Sequence, residues 1–137
     1  MKKKTVRQKQ IDKLDGIHSE LVRRRAILRV GGCEKCLSEK HDIVKENGDI
    51  YPDWMQLQCS HYYGRKKLSV RWNEDNAAGL CGGCHMYFEH NPKEHEKWFE
   101  ARLGDNSIEL EYQATRPAKV DLLATELYLK QKLKELQ

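Results

Sequence analysis

The first regular pattern in the chain is a run of apolar residues at helical spacing between residues 11 and 31. Side chains three, four and seven positions apart lie on one face of an α-helix, so an amphipathic helix is predicted here, ending at Gly31-Gly32. The apolar stripe consists of Leu14, Ile17, Leu21, Val22, Ile27 and Leu28. Residues 1–10 lack such a stripe and are predicted to form a disordered basic arm.

The next segment has the shorter period of β-strands. Residues 42–59 are predicted to form a hairpin, because Asn47-Gly48 favours a two-residue type I′ turn in which both residues need a positive φ. Pro52 interrupts the second half of this segment, so its reliable strand is predicted over residues 54–59.

Downstream of the hairpin, residues 68–72 alternate well enough to predict a further strand, and residues 73–79 have the composition of a loop. A helix is predicted to begin near Cys81. The following helix has a strong start signal at residues 91–94, where Asn caps the helix, Pro takes its first position and Glu completes a capping box. Gly104 is its natural stop.

The last part of the chain is predicted to hold an irregular link and one more helix, which Pro117 precedes. The apolar stripe of that helix consists of Leu122, Leu123, Leu127, Leu129, Leu133 and Leu136. The stripe is expected to pack on the domain, with a homodimer seam as the alternative. The fold class predicted is α+β, with a core over residues 32–104, a basic helix over residues 11–31, and a linker and helix over residues 105–137.

Composition limits the class of protein. The 137 residues are 39% hydrophobic and 34% charged, which suits one domain with a modest core. No apolar run approaches the ~20 residues that span a bilayer, and the start of the chain lacks an apolar signal segment. A soluble cytoplasmic protein without a membrane partner is therefore expected.

The charge is distributed unevenly along the chain. Residues 1–32 carry ten Lys and Arg against three Asp and Glu, whereas the other 105 residues carry fifteen against eighteen. A basic arm on a near-neutral body suits a nucleic-acid partner, because neutralised phosphates give affinity independent of sequence. A solubilising tail is the alternative. The same choice applies to Arg23, Arg24 and Arg25, which form either a phosphate-contacting or a solvated helix face.

Four of the five cysteines form two Cys-x-x-Cys pairs, Cys33 with Cys36 and Cys81 with Cys84. In a reducing compartment such pairs indicate a metal rather than disulfides. Zn²⁺ takes four tetrahedral N or S ligands, and a site closed by four thiolates has no position for water, so a structural zinc is predicted. Cys59 is left over and is predicted to be a buried strand residue; a ligand role would need one of the other four to be free.

A recognisable motif follows Cys59. The segment Asn76-Ala-Ala-Gly-Leu80-Cys81-Gly-Gly-Cys84-His85, preceded by His61 at the predicted end of a strand, resembles the motif of the HNH, or ββα-metal, nuclease family. In that family a strand ends in the catalytic His, a loop holds an Asn, and the next helix bears a metal-binding His. The resemblance covers residues 33–90 and implies a zinc-stapled ββα-metal core.

The closer resemblance is to the phage NinG/Rap recombination nucleases, and it extends over residues 11–104. The matching pieces are Leu21 to Arg25, Cys33 to Cys36, Ser60-His61-Tyr62, Arg71-Trp72-Asn73-Glu74-Asp75-Asn76, and Cys81 to Cys84. Two positions depart from the pattern. Ser60 stands where a Gly or a carboxylate is usual, and His85 stands where some members have Asn.

The resemblance implies a metal-dependent DNA endonuclease that hydrolyses phosphodiester bonds in branched or junction DNA, in the host cytoplasm if phage-encoded. His61 would accept a proton from the attacking water, Asn76 would orient the His61 loop, and His85 would help to hold one Mg²⁺ or Mn²⁺ ion. A hard ion also takes oxygen ligands, and Glu89 lies four residues after His85 on the same helix face. The alternatives for that second ligand are Asp75 and His90.

Basic residues beside this predicted centre fit a DNA substrate. The residues expected to contact DNA are Arg23, Arg24, Arg25, Arg65, Lys66, Lys67 and Arg71. No functional role is assigned to His18, His41 and His95. Two alternatives stay open: an HNH endonuclease of another role (homing, packaging or restriction) that acts on linear duplex, and a non-catalytic zinc-stapled DNA-binding module. The His/Asn/His spacing favours an enzyme over the module.

Overall fold

The computed structural model describes residues 2–116 and 119–137, which form an α+β protein, as the sequence predicts. Its helices are α1 (Val6–Val30), α2 (Gly82–His90), α3 (Pro92–Leu103), α4 (Asn106–Ala114) and α5 (Leu122–Glu135). Its strands form two antiparallel pairs, β1 (Ile43–Val44) with β2 (Ile50–Tyr51) and β3 (Gln58–His61) with β4 (Ala77–Leu80). Pro117 lies outside the described residues. Among the described helices, none has the length and apolar character needed to cross a membrane.

Helix α1 begins five residues earlier than the predicted start at residue 11. The Thr5 side chain caps it by accepting a hydrogen bond from the Gln8 N–H at 3.1 Å, so residues 6–10 are helical rather than part of a disordered arm. The helix ends where predicted, at Gly31, which has a left-handed φ of 72° and donates its N–H to the Ile27 carbonyl.

Helix α5 lies along α1 and covers the apolar stripe of that helix. The buried residues of this cluster are Leu14, Leu21, Trp72, Leu122 and Leu129. Leu123 and Leu127, predicted to widen the stripe, are instead 61% and 62% exposed. The leucine face on which the homodimer alternative depends is therefore occupied by α1.

Strands β3 and β4 and helix α2 follow one another and form a ββα unit, with His61 opposite Ala77 at the end of the strand pair that residues 62–76 connect. The sequence predicts a loop where β4 lies, because its residues are Ala-Ala-Gly-Leu. Small residues are needed there since α1 packs directly on the strand: a Cβ at Gly79 would lie 2.6 Å from the Ala26 Cβ. Close packing, rather than strand propensity, determines this sequence.

Two predicted strands are wrong in their position. Residues 53–56 form a 3₁₀ helix, so the strand predicted over residues 54–59 begins only at Gln58. Residues 68–72, predicted as a strand, form consecutive turns in which the Val70 N–H donates to the Lys67 carbonyl and the Asn73 N–H to the Val70 carbonyl. The partner of β3 is consequently β4.

An ion pair explains why residues 68–72 turn instead of extending. The Asp15 carboxylate on α1 accepts hydrogen bonds from Arg71 Nε at 3.0 Å, from Arg71 Nη2 at 2.7 Å and from the Trp72 indole N–H at 2.9 Å. The side chains of Arg71 and Asp15 are only 16% and 18% exposed. Three charge-assisted or polar bonds to one half-buried carboxylate hold the segment against α1.

The predicted hairpin is present as β1 and β2, but its turn differs from type I′. The Gly48 N–H donates to the Lys45 carbonyl at 2.9 Å, and Gly48 has a φ of 88°, whereas Asn47 does not have a positive φ. This is the longer hairpin connection that places Gly in the left-handed position.

The predicted link after residue 104 also contains a helix, α4. Its residues Leu110 and Ala114 lie one turn apart on one face and are buried against Val70. Two apolar contacts in nine residues are too weak a stripe to be recognised without the partner surface.

The Asp15 contacts predict a stability loss that can be separated from a general charge effect. Asp15→Asn removes the charge-assisted pair with Arg71 and should lower the free energy of unfolding by about 2 kcal/mol. The measurement is urea denaturation followed by circular dichroism. Asp12→Asn is the matched control on the same helix, since the Asp12 contact with Lys4 is exposed, and no measurable change is expected. Equal losses for the two variants would contradict the role assigned to Asp15.

Candidate metal centre and histidine-lined cavity

Two turns bring four cysteine sulfurs together. Cys33 and Cys36 lie in the loop after α1, and Cys81 and Cys84 lie at the start of α2. The four sulfur atoms are all within 4.8 Å of one another, and the Cys36 and Cys81 sulfurs are 3.8 Å apart. Sulfurs bound at ~2.3 Å to a tetrahedral zinc are ~3.8 Å apart. The predicted cluster is therefore present, and it is compatible with a structural zinc ion.

The first cysteine turn is shaped by its backbone before any metal is considered. The Leu37 N–H donates to the Cys33 carbonyl at 2.9 Å, and Leu37 adopts a left-handed φ of 62° to close the turn. The Cys33 N–H in turn donates to the Ser38 carbonyl at 3.1 Å. A Cβ at Gly32 would overlap that same Ser38 carbonyl, so glycine is required there.

Glu34 ties this turn to the rest of the site. Its carboxylate accepts hydrogen bonds from the Gly79 N–H at 2.7 Å and from Arg102 Nη2 at 2.8 Å, which joins the turn to β4 and to α3. The Glu34 N–H also donates to the Gly79 carbonyl at 3.0 Å. The sulfurs of Cys33 and Cys36 are thus fixed relative to α2, which follows β4 directly.

Cys33, Cys36 and Cys84 differ in how readily their thiols ionise. The hydrogen bond from Ser38, whose Oγ lies 3.2 Å from the Cys36 sulfur, lowers the pKa of Cys36 to about 6. Burial raises the pKa of Cys33 and of Cys84 above the ordinary thiol value. Cys36 therefore ionises more readily than Cys33 and Cys84, which would lose their protons to a metal rather than to neutral solvent.

A cavity of about 500 Å³ lies between β3 and the pair of helices α2 and α3. Of the predicted site residues, it brings together His61, Arg65, His85 and Glu89. Two further ligand candidates are elsewhere: Asp75 and His90 line separate depressions. Ser60, at the position where a Gly or a carboxylate is usual in the family it resembles, also lines the cavity and is buried.

Asn76 does not line the cavity but lies fully buried behind it. Its Oδ1 accepts from the Tyr63 N–H at 2.8 Å and its Nδ2 donates to the Tyr63 carbonyl at 3.0 Å. Its own carbonyl accepts from the Tyr62 N–H at 2.8 Å. One side chain thus satisfies both backbone groups of the turn that follows His61 and holds that turn in place.

The imidazole of His61 is half-buried at the end of β3. Burial, together with the nearby positive charge of Arg65, lowers the pKa of His61 to about 4. The ring is therefore neutral near pH 7 and has a free lone pair on one nitrogen.

His85 and Glu89 form an i, i+4 pair on α2. The His85 Nε2 and a carboxylate oxygen of Glu89 are 3.3 Å apart. The other ring nitrogen of His85, Nδ1, is buried without a hydrogen-bond partner, and so is Nε2 of His95 on the same cavity wall. Unpaired buried nitrogens are rare in folded proteins, and an ion or water in the cavity would satisfy them.

Two of the arginines predicted to contact DNA have structural roles instead. Arg25 is only 8% exposed and donates to the Glu74 carbonyl at 3.0 Å and the Ala77 carbonyl at 2.8 Å, which joins α1 to the start of β4. Arg71 is held by Asp15, as described above. Neither guanidinium is free to bind phosphate.

The other predicted DNA contacts lie at the surface. Arg23 and Arg24 both lie over the Trp54 ring, at 4.8 and 4.6 Å from its centroid. Arg65, Lys66 and Lys67 are exposed in the turn after β3, and Arg65 reaches the cavity. The predicted DNA contacts that remain accessible thus lie beside His61 and on one part of α1, where Arg24 also pairs with Glu20 at 3.0 Å.

Two histidines near the cavity have no role in the sequence predictions. His18 is 1% exposed on α1, where it interrupts an apolar stripe, and a polar residue in a buried stripe is a signal that could have identified it. His95 reaches the cavity only because α3 packs back against α2. No pattern in the sequence reports that packing.

The cluster predicts that zinc and stability are lost together. Cys36→Ser should remove a zinc ion that otherwise resists dialysis and lower the melting temperature by more than ~10 °C, because structural zinc contributes to folding directly. Cys36 is exposed, so packing would not explain such a loss. Elemental analysis and a melting curve are the measurements, with Cys59→Ser as the control that keeps the tightly held ion. Undiminished zinc in Cys36→Ser would contradict the four-sulfur site.

Comparison with known proteins assigns no family to this geometry. No protein-family model matches the chain, and no curated protein and no solved structure matches it. The four-sulfur cluster and the histidine-lined cavity are therefore the basis on which a function is proposed.

Proposed function

We propose that the protein is a metal-dependent DNA endonuclease that hydrolyses phosphodiester bonds. The observation that carries the proposal is the convergence of His61, His85 and Glu89 on one cavity, with a basic turn beside it. The three residues come from the first strand and the helix of one ββα unit, and the resemblance to HNH nucleases assigns roles to His61 and His85.

His61 acts as the general base in this proposal. A neutral imidazole in hydrogen-bond reach of a water can take its proton as the water attacks phosphorus. Burial keeps the ring neutral, and the side chain of Asn76 fixes the turn that follows the ring. Asn76 is thus a positioning residue, because it contacts the backbone of Tyr63 and does not line the cavity.

His85 and Glu89 are the residues that would hold a divalent ion. Their donor atoms are 3.3 Å apart, near the ~3.0 Å that separates adjacent ligands around an octahedral ion with ~2.1 Å bonds. Mg²⁺ usually keeps several waters and needs only one or two protein carboxylates, so Ser60 in place of a carboxylate does not prevent binding. A bound Mg²⁺ or Mn²⁺ ion would supply charge stabilisation at the scissile phosphate and at the leaving oxygen.

The basic turn of Arg65, Lys66 and Lys67 supports a polyanionic substrate. It directly follows the strand that carries His61, so phosphates bound there would lie beside the base. Branched or junction DNA processed in phage recombination is the substrate that the NinG/Rap resemblance favours. Linear duplex, cut in homing, packaging or restriction, is the alternative.

The proposal predicts a specific loss on removal of the base. His61→Ala should reduce cleavage by at least ~10²-fold, the usual contribution of a positioned general base. The assay incubates purified protein and Mg²⁺ or Mn²⁺ with four-way, fork and linear DNA. His41→Ala is the matched control, because His41 is exposed and remote from the cavity, and its activity should be unchanged.

Three results of that assay decide between the functions. Cleavage that survives His61→Ala contradicts the mechanism. Binding to DNA without cleavage of any substrate favours the non-catalytic zinc-stapled module. Equal cutting of linear and branched DNA by the wild type argues against junction specificity while leaving the nuclease chemistry in place.

A further inference from the structure

A second group of metal-ligating side chains lies beside the proposed active site. One ligand atom from each of His18, Cys59 and His61 lies within 4.8 Å of the other two, the same limit that the four clustered cysteine sulfurs satisfy. Tetrahedral zinc ligands with bonds of 2.0–2.3 Å are ~3.3–3.8 Å apart, so side-chain movements of about 1 Å bring the three donors to an ion.

Two packed elements hold these residues in place. Cys59 and His61 are two positions apart on β3 and therefore point to the same face of the strand. His18 comes from α1, which packs on β3, and its ring centroid is 5.6 Å from that of His61. The site thus depends on the tertiary fold and has no spacing in the sequence that would reveal it.

The hydrogen bond of His18 suits a ligand. Its Nε2 lies 3.3 Å from the Asn73 carbonyl oxygen, which can only accept, so Nε2 carries the proton. That tautomer leaves the Nδ1 lone pair available. Metal-binding histidines generally donate their other ring N–H to a carbonyl or carboxylate in this way, which fixes the ring.

We propose that His18, Cys59 and His61 bind a transition-metal ion, zinc in the first place, and that this ion inhibits the nuclease. A thiolate and two imidazoles are a borderline-soft donor set that prefers Zn²⁺ or Co²⁺ to Mg²⁺. Three protein ligands leave a fourth position, and because Cys59 and His61 line the cavity, that position is open to water.

Binding changes the chemistry of the cavity in a defined way. Both imidazoles ligate in their neutral forms, and the Cys59 thiol releases one proton to solvent as its sulfur binds. Burial raises the pKa of the Cys59 thiol, and the charges of Arg23, Arg25 and Arg65 offset that rise only in part, so the proton is displaced by the ion and not by neutral solvent. A lone pair of His61 that is bonded to the ion cannot accept a proton from water. The inhibitory part of the inference rests on the proposed function, whereas the metal site itself does not.

Metal stoichiometry tests the site without any activity assay. Metal-free, reduced protein is titrated with Co²⁺, and the thiolate-to-cobalt absorption is followed together with elemental analysis. Wild type should bind two ions per chain, one at the four cysteines and one at the new site. Cys59→Ala and His18→Gln should each bind one. His18→Gln keeps a side-chain donor for Asn73, and an unchanged spectrum for the first ion shows that each variant is folded.

His85→Ala is the matched control, because it alters the other candidate metal position in the same cavity. It should still bind two ions. The site is overturned if wild type binds a single ion, or if Cys59→Ala and His18→Gln both bind two. Loss of the second ion in His85→Ala, with its retention in Cys59→Ala, would place that ion at His85 and overturn the inference as well.

Inhibition is then measured, separately for each protein, as the ratio of its DNA cleavage rates with one and with two equivalents of Zn²⁺. With Mg²⁺ as the activating ion, one equivalent of Zn²⁺ beyond the first should reduce wild-type cleavage at least tenfold. The reduction should fall below twofold in Cys59→Ala relative to its own rate with the first equivalent of Zn²⁺ alone. Equal inhibition of both proteins overturns the inhibitory role. If no protein cleaves DNA, the proposed function fails while the stoichiometry still decides the metal site.

Discussion

The meeting of four cysteine sulfurs is the constraint on which the rest of the structure depends. Cys36 and Cys81 are 45 positions apart in the chain, and their sulfurs are 3.8 Å apart in the fold. A zinc ion held there would contribute ~10–16 kcal/mol of apparent binding free energy, as much as the ~5–15 kcal/mol by which domains are usually stable. Cys33, Cys81 and Cys84 also belong to the apolar cluster around Phe88 and Phe99, so the metal-binding cysteines are part of the hydrophobic core.

The candidate active site follows from that arrangement. Cys84 precedes His85 directly, so the cluster that anchors α2 also fixes where His85 and Glu89 lie. The opposite wall, β3, is fixed by pairing with β4, and β4 is in turn held by α1 and by Glu34 from the cysteine loop. The four cysteine sulfurs and the candidate catalytic histidines are therefore joined by short segments of chain and by direct hydrogen bonds.

Several features could be predicted because their cause is local. Gly31 at the end of α1, Pro92 at the start of α3 and the two Cys-x-x-Cys turns all act within a few residues. The predicted cap at Asn91 is wrong, because its side chain donates to the Tyr87 carbonyl and accepts no hydrogen bond from the first turn of α3. The Leu122 and Leu129 face of α5 follows from periodicity, although the sequence does not say that α1 is its partner.

Other features could not be predicted because their cause is distant. Residues 68–72 have the alternation of a strand, yet Asp15 draws Arg71 and Trp72 into turns from 56 and 57 positions away. Arg25 is predicted from the sequence to contact phosphate, but its guanidinium donates hydrogen bonds to the carbonyls of Glu74 and Ala77. His18 and His95 approach the cavity through helix packing alone. In each case a long-range contact outweighs the local preference.

Two metal positions of opposite chemistry are proposed along α2, one closed by four thiolates at its start and one open at His85 and Glu89. Anomalous diffraction from crystals of zinc-loaded protein soaked in Mn²⁺ tests this proposal most directly, since the two ions are distinguished by their absorption edges. We expect zinc among the four sulfurs and manganese within ~2.3 Å of both a His85 nitrogen and a Glu89 oxygen. Manganese at Asp75 or His90, or no manganese in the cavity, would contradict the account.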